Sequence, residues 1–326
     1  NFGVDAGFFN NRLNVTFDVY QRRNFDEIAP TVTQLYGTAY ANVGSMKSWG
    51  EELSISSTNV KTNDFSWQTS LIYSHNRTEI TDLYNQGRVI DLVQGNGFAK
   101  QGYPARALFS IPFVGINEKG NPVCINEKGQ ATVGDLNFQE RDNTDYLIYE
   151  GSTDPVYNGS LGNTFNYKGF HLNVFLTYAF GNVVRLDPAF SAKYNDLTSM
   201  THDFKNRWMQ PGDENVTNVP GVVSRYEYEQ NSTLLATAYN AYNYTSVRTA
   251  KGDFIRLKEI SLAYDFPHRW FEKSPVNNIS LKLQATNLML LYADKKLNGQ
   301  DPEFMNAGGV ASPMPKQFTL TLKLGL

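Results

Sequence analysis

The sequence predicts an all-β fold, an antiparallel transmembrane β-barrel of which about 9–11 strands are present. Three observations predict it. Apolar residues recur with period two in almost every ordered segment, and with period 3.6 almost nowhere. The alternating runs extend about ten residues, the length of a tilted membrane strand and longer than the five to six of soluble strands. Short turns alternate with long polar loops, the pattern of outer-membrane barrels.

The elements follow in order. Phe2, Val4, Ala6 and Phe8 share one face, with Gly3, Asp5 and Gly7 behind them. Asn10-Asn11-Arg12 turns the chain into Leu13, Val15, Phe17 and Val19, which alternate with Asn14, Thr16 and Asp18. The two runs read as a hairpin. Leu53 and Ile55 begin a second pair, which turns at Lys61-Thr62-Asn63-Asp64 into Phe65, Trp67, Thr69, Leu71 and Tyr73. A third hairpin covers about 157–181 and turns at Lys168-Gly169, and a fourth covers about 254–267 and 278–292. Phe318, Leu320, Leu322, Leu324 and Leu326 form the apolar face of a closing strand. Aromatic residues gather near strand ends, as membrane-interface girdles do.

Between these runs lie long segments at about 27–43, 82–156, 182–253 and 293–316, which read as extracellular loops, the short turns being periplasmic. Compact soluble domains rarely hold such loops. Segment 106–125 reads as a further hairpin, either in the wall or above it. The polar loops account for a mean hydropathy of -0.42 in a chain of 326 residues. No run is long enough for a membrane-spanning helix, the best being Leu288–Ala293.

Composition excludes several classes. Lys and Arg number 29 against 32 Asp and Glu, so the chain has no general pull on nucleic acid. Cys124 is the single cysteine, which excludes a disulfide framework and a cysteine-based zinc site. Asn-x-Ser/Thr sequons such as Asn76-Arg77-Thr78 and Asn231-Ser232-Thr233 follow from polar loops rich in those residues.

Several phrases carry a more specific signal. They are Phe8-Phe9-Asn10-Asn11-Arg12-Leu13 with Asp18-Val19-Tyr20; Asn42-Val43-Gly44-Ser45-Met46 with Trp49-Gly50-Glu51-Glu52-Leu53; and Asp64-Phe65-Ser66-Trp67-Gln68-Thr69. Next come Asp154-Pro155-Val156-Tyr157-Asn158-Gly159-Ser160, Ile255-Arg256-Leu257-Lys258-Glu259, and Asp301-Pro302-Glu303 with Ser312-Pro313-Met314-Pro315. In this order and over the whole chain they resemble the carboxyl-terminal barrel of SusC/RagA-type TonB-dependent transporters of Bacteroidota. The resemblance implies a single-chain outer-membrane barrel of about 22 strands. It also implies an amino-terminal plug, a SusD-like lipoprotein lid, and TonB-driven import of oligosaccharides or peptides. On that pattern, residues 1–326 are the carboxyl-terminal part of the barrel, and the signal peptide, TonB box, plug and first part of the wall lie outside this chain. The implied partners are the rest of the same transporter, the lipoprotein, the TonB complex, membrane lipid and the glycan or peptide substrate.

No catalytic constellation and no cofactor motif is found, so the chain is read as a non-enzyme. The four histidines sit on separate segments; His171 has lumen parity and reads as a wall hydrogen-bonding group. Asp135, Glu140, Asp142 and Asp145 crowd one loop and are the weak calcium candidates, without EF-hand spacing. Trp208, Tyr226, Tyr228, Tyr239, Tyr242 and Tyr244 lie in the 182–253 loop, where exposed rings would stack on substrate or a lid; the competing reading is an internal aromatic cluster. Asp5, Asp18, Glu52, Gln68 and Gln284 are expected on the lumen-facing wall. The functional alternatives are a passive porin or adhesin-type barrel with ligand-binding loops, and a soluble secreted β-sandwich lectin.

Overall fold

The computed structural model describes residues 1–326 except 34–36, 96–99, 195, 196, 198, 306–314 and 326; of 29–33 and 37–40 only the backbone is described. In chain order the elements are β1 (Phe2–Phe8), β2 (Leu13–Thr33), β3 (Gly37–Lys61), β4 (Phe65–Leu83), α1 (Val89–Gln94), β5 (Ala107–Ser110), β6 (Phe113–Ile116), β7 (Pro122–Ile125), β8 (Ala131–Thr132) and β9 (Ile148–Ser152). They continue with β10 (Tyr157–Tyr167), β11 (Phe170–Phe180), β12 (Val183–Arg185), α2 (Arg225–Asn243), β13 (Thr249–Lys251), β14 (Phe254–Asp265), β15 (Asn278–Ala293) and β16 (Gln317–Gly325).

Among the described residues, nine strands form one antiparallel sheet in the order β1-β2-β3-β4-β10-β11-β14-β15-β16. The turns are built by residues that tolerate positive φ. Phe9, Asn10 and Asn11 all take φ of 55° to 61°, and Lys168-Gly169 takes 46° and 86°, the two-residue turn whose twist matches paired strands.

Register carries one apolar face across the wall. Trp67 pairs with Phe165, Phe165 with Leu172, Leu172 with Leu262, Leu262 with Leu283, and Leu283 with Leu320. Because side chains alternate, a slip of one residue anywhere would break this row. The face is uncovered: Phe318, Leu320 and Leu322 are 70%, 68% and 60% exposed. An apolar surface of this extent is stable only against lipid.

Two aromatic belts bound that face. Near the short turns, Trp67 stacks on Phe165 at 5.7 Å, Phe170 meets Tyr264 at 4.4 Å, and Phe266 meets Trp270 at 5.7 Å. Near the loops, His75 stacks on Tyr157 at 4.9 Å and Phe180 meets Tyr292 at 6.4 Å. Tyr157 and Tyr167 are the ends of the 11-residue β10. At ~3.3 Å per residue and the ~40° tilt of barrel strands, they stand about 25 Å apart along the membrane normal, the height of an outer-membrane apolar band.

The apolar interior lies elsewhere. Among the described residues, the three clusters of buried hydrophobic residues sit in the long loops: one around Val89, Leu92, Phe109 and Cys124, one around Phe190, Leu235, Tyr239 and Tyr242, and one around Val184, Leu186, Ala250 and Leu297. The loops at 82–156 and 182–253 therefore fold together as a cap with its own core.

Two expectations are corrected, and one open alternative is decided. In the segment 27–43, read from sequence as a loop, residues 27–33 and 37–43 are strand: β2 and β3, 21 and 25 residues long in all, pair there as a ribbon, bulged where Asp26 takes φ of 53°. The β sequence pattern breaks there because the ribbon stands above the lipid, where nothing demands an apolar face. The 106–125 hairpin is real as β6 and β7, but it pairs with β8 in a small sheet of the cap, outside the wall. The 182–253 segment is not all loop, since it contains the helix α2. Its sequence signals are Ser224, whose hydroxyl accepts from Glu227 N at 3.2 Å, and the helical spacing of Leu235, Ala238, Tyr239 and Tyr242. Leu326 and Ser312-Pro313-Met314 fall outside the described residues.

Candidate functional site

The face opposite the apolar row is polar. Gly3 pairs with Asp18, Asp18 with Glu52, Glu52 with Ser74 and Ser74 with Asn158. Asp5 faces the same way and accepts from Thr16 Oγ1 at 2.6 Å. Gln68 and Gln284 fall in one further row: Gln68 pairs with Thr164, which leads through Asn173 and Ser261 to Gln284. All five wall residues named from sequence thus share the face turned from lipid. His171 does too, its ring nitrogens 2.6 Å from Asn166 Oδ1 and 2.9 Å from Asp265 Oδ2.

At the loop end this face is covered. Ser160, Ala179, Phe254 and Arg256, all on it by register, are buried. The cover is the loops themselves. Thr78 Oγ1 accepts from Ala105 N at 3.3 Å, and the Arg256 guanidinium donates to both carboxylate oxygens of Asp301 at 2.5 Å and lies 3.1 Å from Glu303. Two of the sequence phrases, Ile255–Glu259 and Asp301–Glu303, therefore meet as a wall-to-loop latch. The loop after β15 bends inward over the polar face rather than outward over lipid.

Two more buried guanidiniums tie the cap. Arg185 donates to Thr245 O at 2.8 Å, Phe109 O at 2.6 Å, Val93 O at 3.2 Å and Ser110 Oγ at 3.1 Å, joining α1, β5 and the end of α2. Burial lowers its pKa to about 10, which leaves it charged at neutral pH. Arg248 donates to Asp187 O at 3.0 Å and to Asp203 at 3.3 Å, and stacks over Phe190 at 4.9 Å.

The six loop aromatics separate. Tyr239 and Tyr242 are core residues, 1% and 2% exposed, and burial pushes both phenols up; for these two, contact with substrate or lid is corrected to packing of the cap. Trp208 is half-buried, its ring against Gly120 and Gly221 and its indole donating to Glu214 at 3.0 Å, which holds that carboxyl below its usual range. Tyr226 is 76% exposed. Tyr228 and Tyr244 are half-buried and line one groove of about 360 Å3 with Lys193, Asn240 and Asn243.

The acidic loop does not converge. Asp145 pairs with Lys100, and Asp135 with Lys128 at 3.7 Å. Glu140 accepts from the backbone of Arg141, Asp142 and Asn143, which lowers its pKa. Among the described residues no group of three acidic, histidine or cysteine side chains could hold a metal ion. The calcium candidates are corrected to separate solvated contacts.

A sheet with a lipid-facing apolar side, two aromatic belts, a polar inner side and inward-folded loops defines an outer-membrane β-barrel wall. The chain is, more particularly, similar along its whole length to SusC/RagA-like TonB-dependent transporters. It is 26% identical over 344 residues to the TonB-dependent receptor SusC of Bacteroides thetaiotaomicron, covering 100% of this chain and 31% of that protein. It is 24% identical over 361 residues to a TonB-dependent receptor of Formosa agariphila, covering 96% of this chain and 33% of that protein. The solved RagAB peptide transporter superposes with a TM-score of 0.72 at 23% identity, over 99% of this chain and 34% of that one, and shares its fold. The chain spans about a third of the length of the relatives it matches. No family model matches it.

Proposed function

We propose that this chain is the carboxyl-terminal part of the barrel of an outer-membrane nutrient importer, and that it works with an amino-terminal plug and strands, a SusD-like surface lipoprotein and the TonB complex. The observation that supports this best is the Arg256–Asp301 latch. A loop held over the polar face narrows the mouth of the lumen, which suits selective, gated import better than free diffusion. The named relatives are receptors and transporters, in keeping with a non-enzyme.

Oligosaccharide and peptide both remain within this reading as cargo. Tyr226, Tyr228, Tyr244 and Trp208 are the aromatic groups able to meet cargo or lid, while Asp5, Asp18, Glu52, Gln68 and Gln284 hydrate its path or meet the plug. The test is uptake of labelled oligosaccharides and peptides by cells carrying or lacking the full transporter. Uptake that stops when the proton-motive force is collapsed supports the proposal. Uptake that survives the collapse identifies a passive porin, and surface binding without uptake identifies an adhesin.

A further inference from the structure

The lipid-facing side of β2, β3 and β4 does not end at the aromatic belt. Tyr157 of the loop-end belt pairs with His75. One row further from the membrane centre, Arg77 pairs with Trp49. One row beyond that, Lys47 pairs with Arg23 on one side and with Glu79 on the other. By alternation these side chains share the face of Leu53 and Tyr73. Each row adds about 5 Å of height, which puts the cations at the headgroup level rather than in hydrocarbon.

Two features make this more than scattered charge. Arg23 and Lys47 are like charges directly opposed across a strand pair, an arrangement that costs stability unless an anion sits between them. Lys47 Nζ lies 4.8 Å over the Trp49 ring, so the ammonium is held along the wall instead of reaching into water. The carboxylates on this face are Glu51 and Glu79, and among the described residues neither forms an ion pair with Arg23, Lys47 or Arg77. Beside them a cavity of about 440 Å3 opens between the end of β4 and the cap, lined by Trp49, Arg77, Glu79 and Tyr149. A strand added at the free edge of β1 would pair in the plane of the sheet and leave this face open.

We propose that Arg23, Lys47 and Arg77, with Trp49 beneath them, form a binding site for the phosphate headgroup of a net-anionic lipid in the leaflet on the loop side of the membrane. The guanidiniums supply charge-assisted hydrogen bonds to phosphate oxygens, and the Trp49 ring covers the first acyl carbons. The site fixes the height of the wall in the bilayer just where the long β2–β3 ribbon leaves it.

The test uses the full transporter chain in nanodiscs of equal phosphatidylglycerol and phosphatidylcholine, with retained lipid read by native mass spectrometry. Wild type is expected to retain phosphatidylglycerol over phosphatidylcholine. Arg23→Gln, Lys47→Gln and Arg77→Gln are each expected to lower that preference about five-fold. Arg269→Gln/Lys273→Gln, at the opposite end of the wall, is expected to leave it unchanged. If the half-buried Lys47→Gln variant does not assemble, the Arg77→Gln and Arg23→Gln variants, both at exposed positions, read the same ratio. A wild type without preference, or an equal loss in the Arg269/Lys273 control, overturns the site. Displacement of the lipid by about 10 mM inorganic phosphate would make it a site of about millimolar affinity for the free ion, and overturn the lipid assignment. Loss of a dimer with unchanged lipid retention would show that a second copy of the chain covers this face, and overturns it equally.

Discussion

The Arg256 guanidinium holds both carboxylate oxygens of Asp301 at 2.5 Å, with the two side chains 5% and 8% exposed, and so joins the wall to the loop after β15. Removing one member of a buried pair costs more than removing both, because the survivor is left charged and desolvated. Arg256→Met is expected to cost about 3 kcal/mol, and Arg256→Met/Asp301→Leu distinctly less. Limited proteolysis of the 294–305 segment measures it: faster cleavage in the single than in the double variant is the expected order. Equal rates would mean that the pair does not hold the loop.

The facing of the closing strand is tested by neighbouring substitutions. Leu320 lies in the apolar row and pairs with Leu283, while Thr321 pairs with Lys282 on the polar side. Leu320→Asp is expected to cost about 2 kcal/mol and to impair barrel assembly, read as loss of the heat-modifiable band on a gel. Thr321→Asp should assemble normally. Comparable defects in the two would overturn the assignment of faces.

In the cap, Tyr242 packs edge-on against Phe113 and Phe190, with ring centroids 5.6 Å and 5.0 Å away. Tyr242→Ala is expected to destabilise the cap by about 3–5 kcal/mol, as large-to-small core changes do. Tyr226→Ala, at an exposed ring, should stay within about 0.5 kcal/mol. Thermal melts of the full transporter in detergent compare them. If Tyr226→Ala alone weakens binding of cargo or lipoprotein while leaving the melt unchanged, the exposed ring is a contact.

Cys124 is buried at 3% exposure, and burial raises its pKa from 9.0 to about 12. An acid whose folded pKa is raised favours the native state below the unfolded pKa and loses that contribution as pH rises, because only the unfolded chain ionises. Cap stability is therefore expected to decline from about pH 9 towards pH 12. The native thiol should also resist a maleimide at pH 8 and react once the cap unfolds. Prompt labelling of the native protein would contradict the packing around β7.

The wall was legible in the sequence because lipid imposes a strict rule: one face apolar, one polar, for about ten residues. Phe2 to Phe8, Phe65 to Tyr73 and Phe318 to Leu324 obey it, and register follows from them. The common facing of Asp5, Asp18, Glu52, Gln68 and Gln284 on the polar side of the sheet was legible for the same reason. The cap was not. Its strands β5 to β9 are two to five residues long, too short for a period to show. Its helix α2 mixes Leu235 and Ala238 with Gln230, Asn231 and Asn240, so the apolar stripe is narrow. Tyr239 and Tyr242 stand on that stripe, but so few apolar positions among polar neighbours do not by themselves signal that the loop has an interior. Arg256 and Asp301 stand in separate phrases, and only folding of the loop inward brings them together.

The separation of interior and wall gives the molecule two solvents to answer to. The packed side chains around Phe109 and Tyr242 are squeezed together by water, so urea or cold should loosen them. The rows around Leu262 and Leu320 are squeezed by nothing of the protein's own and depend on acyl chains, so a harsh detergent should loosen those. The same chain is thus expected to come apart in two halves, in an order chosen by the experimenter's bottle rather than by the sequence.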